Sequence, residues 1–298
     1  MTTVNLQPQN ILNSRARLGE GPVWDARIQG LYWVDIYNRR VHRFDPASGA
    51  DKVWDLDTVV SGISLVAEDP SKLIVAQRHG LGVLDLATGT AEPLVAIEAD
   101  RPHTRLNDLK CDPQGRLWVG TMHNHEQPEA HLYRYDKGSL EIMETGLSIS
   151  NGLGWSPDGQ LFYLTDSPRQ IIYAYSFDLE RGDIGDRRPF IDLTPETFYP
   201  DGLSVDSEGC LWSAMWNGGC LIRFDPDGQE MTRMALPLPL VTSCAFGGAD
   251  LTELFITTAS VGLSQLEIQT SVCSGDLFWL KTQVRGLPAT PYGGLLGA

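Results

Sequence analysis

Six residues, Glu20, Ser61, Asn107, Asn151, Asp201 and Thr242, each open a short phrase of the same pattern, a polar residue followed by an apolar run. The copies read Glu20-Gly-Pro-Val-Trp24, Ser61-Gly-Ile-Ser-Leu65, Asn107-Asp-Leu-Lys-Cys111, Asn151-Gly-Leu-Gly-Trp155, Asp201-Gly-Leu-Ser-Val205 and Thr242-Ser-Cys-Ala-Phe246. Two carboxylates and two carboxamides stand among the openers. These are oxygen donors, which hard divalent cations take as ligands with waters completing the sphere. Two carboxylates gathered away from bulk water repel each other and hold protons unless a cation lies between them. Neither His nor Cys falls among the six, so the pattern differs from a soft-ligand zinc site. A single Asn-Gly or Asp-Gly pair reads as turn chemistry. Four oxygen donors in register across separate repeats read as a metal-binding ring, with Asn107 towards its edge.

The elements that must position these residues repeat with them. Each phrase is followed by a turn such as Asp112-Pro-Gln-Gly115, Ser156-Pro-Asp-Gly159 or Asp206-Ser-Glu-Gly209, where Pro presets φ and Gly supplies positive φ. Second apolar strands then begin at Leu31, Leu73, Leu117, Leu161, Leu211 and Leu254, spaced by 42, 44, 44, 50 and 43 residues. A third strand follows each, from VHRFD at Val41 to DLFWL at Asp276, and all but the last lead to a fourth, outer strand. Four short strands in a period of about 40–50 residues predict an all-β fold, a six-bladed β-propeller with four-stranded blades. The segment Asn10 to Arg17 can supply the outer strand that the sixth copy lacks, closing the ring without a free edge. A two-sheet sandwich leaves the sixfold self-similarity unexplained. One domain spanning 1–298 is expected, with a core of about 14–282 and a Pro/Gly-rich tail over 283–298. Helical periodicity is confined to a short turn near Leu266 to Thr270. In a propeller the first strand of every blade lines the central channel and all run the same way. The six openers therefore gather at one mouth.

Composition narrows the partners. The 298 residues are 42% hydrophobic and carry a formal net charge of −15, which argues against nucleic acid or an anionic membrane surface as a partner. No apolar run is long enough for a membrane helix, and no secretory signal is visible, so a cytoplasmic location is expected. Five cysteines without a CxxC pair read as reduced thiols, mostly buried, and Cys210 and Cys220 fall on neighbouring strands of one blade.

Other side chains point towards the same mouth. Arg105 precedes Asn107 by two residues, so it lies on the same side of its strand, placed either to hydrogen-bond a polyhydroxy ligand or as a solvated loop residue. His103, His123, His125 and His131 cluster in sequence around the third repeat. The His123/His125 spacing admits a metal pair, but the surrounding polar stretch reads better as a loop touching substrate. Asp166 ends a second strand, as a turn residue or within reach of the mouth. Ser14, Ser61 and Ser148 lack the strand-turn-helix setting of a nucleophilic serine.

The phrases Leu18-Gly-Glu-Gly-Pro-Val-Trp24, Arg105-Leu-Asn-Asp108 with Gly120-Thr-Met122, Ser150-Asn-Gly152 with Ser156-Pro-Asp-Gly159, and Tyr199-Pro-Asp-Gly202 occur in that order. In them the chain resembles the gluconolactonase/regucalcin (senescence marker protein) family, over about residues 14 to 282. The resemblance implies a six-bladed propeller with one divalent metal at the channel mouth and hydrolysis of sugar lactones of the gluconolactone or pentonolactone kind. It implies that Glu20, Asn151 and Asp201 hold the metal, that Arg105 and Asn107 bind substrate hydroxyls, and that Asp201 doubles as general base. Some relatives place an acidic substrate contact after the Gly-Thr-Met motif. Here His123-Asn-His-Glu126 stands there, so His123 or Glu126 is the corresponding candidate. Calcium or zinc is the metal expected first, with manganese, magnesium and iron as alternatives. The expected partner is a small sugar lactone and the expected state a monomer. The alternative function is a calcium-binding regulatory protein of the regucalcin type, and a third is a recognition propeller with an inert channel.

Overall fold

The computed structural model of the protein describes residues 7–294 and 296. Among the described residues 24 strands form six four-stranded antiparallel sheets, five of them running in sequence order from the axis outwards and the sixth completed by the N-terminal strand. Blade 1 shows the pattern with strands Gly19–Asp25, Gly30–Asp35, Arg40–Asp45 and Ala50–Asp55. The inner strands of blades 2 to 6 are Val60–Leu65, Thr104–Cys111, Ser150–Trp155, Tyr199–Val205 and Val241–Gly247. Each inner strand contacts the next, and the sixth contacts the first, so the ring is closed. In blade 6 the outermost position is filled by the N-terminal strand Gln9–Leu12, paired antiparallel with Leu277–Lys281.

The second strands are apolar almost throughout because both of their faces are buried. In blade 1, Tyr32 and Val34 pack towards Ile63, Leu73 and Val75 of blade 2, while Leu31 and Trp33 pack towards Phe255 and Leu277 of blade 6. Blade 2 repeats this one step on, sending Ile74 and Ala76 towards Leu117 and Val119 of blade 3. Period-2 alternation thus welds each blade to both neighbours. Truncating one of these side chains, such as Ile74 to Ala, costs about 2–5 kcal/mol. Hairpin turns at the far ends are tied down by aspartates. Fully buried Asp112 accepts from Arg116 Nε at 2.6 Å and Trp118 Nε1 at 3.0 Å, and Asp206 does the same for Trp212 Nε1 and Arg223.

A departure from regular pairing recurs in every blade. The register between inner and second strand slips at Glu20/Val23, Val60/Gly62, Leu106/Leu109, Asn151/Leu153, Pro200/Leu203 and Val241/Ser243. Each slip falls at or beside the opening polar residue. A bulge of this kind lets two consecutive residues oppose one, bends the strand and re-aims a side chain. The Pro/Gly-rich C-terminal segment runs across the opposite end of the channel. It bridges Asp206 through Gly286 and Val66 through Tyr292, whose side chain is fully buried. Of that segment, residues 295, 297 and 298 lie outside the described residues. The helix Gln265–Thr270 carries a capping box at Ser264 and Glu267, and no helix among the described residues is long and apolar enough to cross a membrane. All five cysteines are unpaired.

Candidate functional site

The six openers divide by what their side chains already do. Ser61 Oγ donates to the Asn107 carbonyl at 2.8 Å, and Thr242 Oγ1 donates to the Gly19 carbonyl at 2.6 Å. These two hydroxyls stitch neighbouring inner strands together. Asn107 donates Nδ2–H to the Ser150 carbonyl at 2.9 Å and accepts Arg105 Nη1–H on Oδ1 at 2.9 Å. Arg105 also donates to the Leu106 carbonyl at 2.8 Å, lies beside the Tyr37 phenol and feels the Glu20 carboxylate. It is buried, so it is an ordered guanidinium above the ring rather than a solvated loop residue.

Asn151 donates Nδ2–H to Ser167 Oγ at 3.1 Å, and Ser167 passes its own proton to the Pro200 carbonyl at 2.7 Å. Because that hydroxyl proton is committed, Ser167 Oγ can only accept from Asn151. The amide nitrogen is thereby fixed on that side and Oδ1 is left facing the other way. Glu20 accepts the Gly21 N–H at 3.0 Å. Asp201 is buried, and its Oδ1 has no hydrogen-bond partner.

The electrostatics mark one cluster. Burial, and then the Asp108 carboxylate, push Glu20 up to about 8. Burial, followed by Glu20 and Asp108, raises Asp201 well above the usual carboxylate range. Enclosure raises Asp108 as well, while the Lys110 ammonium pulls it back. Three mutually repelling carboxylates, an unpartnered Asp201 oxygen and the Asn151 carbonyl form an all-oxygen donor set. That set fits a hard divalent cation, whose charge relieves the repulsion directly.

The family described as SMP-30/Gluconolactonase/LRE-like region matches residues 18–260, a span holding the whole ring. The chain belongs to this family. It is 38% identical over 284 residues to the pentonolactonase XacC of Haloferax volcanii, covering 93% of this chain and 95% of that protein. To chicken (Gallus gallus) regucalcin it is 35% identical over 293 residues, covering 95% and 97% of the two chains. Among solved structures, a calcium-binding protein, regucalcin, from Agrobacterium tumefaciens superposes with a TM-score of 0.92 at 31% identity, over 96% of this chain and 97% of that one.

Within this SMP-30/gluconolactonase member, the histidine loop stands apart from the ring. His123 pairs in register with Thr104 and Met122 with Arg105, so His123 and Arg105 point to opposite faces of blade 3. His123 is buried and its Nδ1 accepts the His125 and Gln127 backbone N–H groups at 3.2 and 3.4 Å, which puts the ring proton on Nε2. His103, His123 and His125 form a triangle with ring centroids 5.7–5.9 Å apart, while His131 is taken by Glu98 at 2.8 Å. Glu126 is exposed on the following loop and has no ion pair among the described residues. Asp166 is a buried carboxylate that accepts the Ser148 and Ile149 N–H groups and pairs with Arg169. Asp206, Glu208 and Cys210 also lie close together, but the Asp206 carboxylate is spent on Arg223, Trp212 and the turn backbone.

Two residues of the cluster carry no role in the sequence reading. Asp108 follows Asn107 at a position filled by Gly21, Gly62, Gly152, Gly202 and Ser243 in the other blades. Its departure from that near-glycine column is the signal that could have found it. Lys110, two residues on, shares its side of the channel. Both line a chamber of about 280 Å³ whose wall also takes in Gly21, Ser243 and, from the C-terminal segment, Leu287 to Thr290. None of the six openers lines that chamber, so it lies apart from the mouth they form.

Proposed function

We propose that the chain hydrolyses a sugar lactone at the Glu20/Asn151/Asp201 mouth. The observation that carries this reading is Asp201, a buried carboxylate with an unpartnered oxygen beside two further carboxylates and an ordered arginine. The lactonase name of the Haloferax relative supports the substrate class. Glu20, Asn151 Oδ1 and Asp201 would hold the divalent cation. When bound, such an ion polarises the lactone carbonyl and stabilises the negative charge that develops on it.

The chain's own residues do the rest. Arg105, held by Asn107, donates hydrogen bonds to the hydroxyls of the sugar and orients the ring. Asp201 has two oxygens, one for the cation and one to take a proton from the attacking water as its oxygen bonds to the carbonyl carbon. The same proton then goes to the ring oxygen as the carbon–oxygen bond of the lactone breaks, leaving the aldonic acid. Lactones are activated esters, so a carboxylate of ordinary basicity suffices. His123, with its proton on Nε2, and Glu126 remain the candidates for contacts to the rest of the sugar. We take calcium or zinc as the first metals to test, and a cytoplasmic monomer as the working form. A pH-indicator assay on gluconolactone and pentonolactones, with and without added metal, tests the reading. Metal-dependent acid release is expected; no turnover of any aldonolactone by the metal-loaded protein would refute it. That second outcome, together with tight calcium binding, is what a regulatory protein of the regucalcin type predicts, a reading that the chicken and Agrobacterium relatives favour by name.

A further inference from the structure

Lys110 lies in the channel directly under the ring. Its Nζ donates to the Leu153 carbonyl at 2.7 Å and to the Leu203 carbonyl at 2.8 Å. These carbonyls belong to the inner strands of blades 4 and 5, and each lies two residues beyond a proposed metal ligand, Asn151 and Asp201 respectively. Lys110 itself lies three residues beyond Asn107 on the blade 3 strand that carries Arg105. One ammonium thus ties together the three strands that carry Arg105, Asn151 and Asp201.

The ties fall where the backbone most needs them. The register slips between Asn151 and Leu153 and again between Pro200 and Leu203, so the ladder to the second strand is broken between ligand and carbonyl. At a bulge the local twist is free to change. Lys110 holds both strands just below that break, from across the channel. Enclosing an ammonium costs several kcal/mol unless charged or strongly polar partners compensate. Two charge-assisted bonds to carbonyls and the nearby Asp108 carboxylate offset part of that cost here, while burial still pulls the ammonium's pKa down. A methionine would fill the same space without that cost, but could not grip two carbonyls.

We propose that Lys110 is a positioning residue for the metal and lactone site, setting the separation of Asn151 and Asp201 by holding their strands at Leu153 and Leu203. The inference rests on the metal-dependent reading of the mouth given above. A merely electrostatic role predicts the opposite sign. Removing a cation from beneath three carboxylates makes the site more negative, and by itself that would tighten cation binding.

The test is calorimetric binding of Ca2+ and Zn2+ to chelator-stripped protein, with kcat and KM measured in parallel. Lys110→Met is expected to weaken metal binding by about 10- to 100-fold and lower kcat similarly, with lactone KM changed by no more than about 2-fold because Arg105 is untouched. Lys110→Gln, which keeps an N–H donor without the charge, is expected to recover part of both losses, and it carries the test if the methionine variant does not fold. Metal binding in either variant as tight as in the wild type, or tighter, with kcat unchanged, would overturn the proposal. So would a glutamine variant no better than methionine. A wild-type protein that binds no divalent ion would overturn the metal reading and this inference together.

Discussion

The Asn151 amide donates to the Ser167 hydroxyl at 3.1 Å, and Ser167 is bonded in turn to the Pro200 carbonyl, next to Asp201. One hydroxyl therefore sets which atom of Asn151 faces the ring and how its strand sits against the strand of Asp201. Ser167→Ala should leave the amide free to turn and should weaken divalent-metal binding about tenfold. Calorimetry on the stripped protein checks this, and an unchanged affinity would mean that the amide is oriented by something else.

The raised carboxylates make stability depend on pH when no metal is bound. Glu20 ionises near 4.5 in the unfolded chain and near 8 in the fold. Between those values the folded chain keeps a proton that the unfolded chain has released. Folding is favoured at the acid end, and stability is lost as pH rises through the window, by about 1.4 kcal/mol per pH unit for each such group. Denaturation midpoints in chelator should fall between pH 5 and pH 8, and Glu20→Gln should flatten the slope. Saturating metal should remove the dependence. A flat wild-type profile in chelator would contradict the electrostatic account of the ring.

Arg105 is held by Asn107 and lies within the field of Glu20. Arg105→Leu should act on the sugar more than on the metal. Lactone KM should rise by roughly tenfold or more, as expected for losing a charge-assisted hydrogen bond, while metal affinity stays within a few-fold. Loss of metal binding in this variant would instead place Arg105 among the groups that build the ring.

The glycine after Asn151 is required by close approach. A Cβ at Gly152 would lie 2.6 Å from the Asp201 carbonyl oxygen, which is backbone and cannot swing aside. Gly152→Ala should push the Asp201 strand away, costing about 1–3 kcal/mol in stability, with a loss of activity out of proportion to that. Thermal denaturation and initial rates, read side by side, separate the two effects.

Much of this was legible in the sequence. The blades were readable because each second strand is buried on both faces and so stands out as an apolar run at a nearly constant interval, Leu31 through Leu254. The ring was readable because its openers occupy one register. Asp108 and Lys110 were hidden by the bulge. Strict alternation sends Asp108 to the face opposite Asn107, whereas the slip between Leu106 and Leu109 lets both look inward. Ser167 acts from a short 3₁₀ turn, Ser167–Arg169, in a different part of blade 4 from the amide it fixes. The C-terminal segment has no periodicity at all; its place under the channel depends on Tyr292 bonding to Leu65 and on Gly293 bonding to Gly115, contacts far apart in sequence.

The central claim is that one divalent ion at Glu20, Asn151 and Asp201 is needed for lactone hydrolysis. The most direct measurement is the initial rate of gluconolactone or pentonolactone hydrolysis by fully stripped protein as metal is returned in known fractions of an equivalent. The account predicts a negligible rate at zero metal, a linear rise, and a plateau at about one ion per chain, with Asp201→Asn flat throughout. Full turnover by the stripped protein, with no response to added metal, would contradict it.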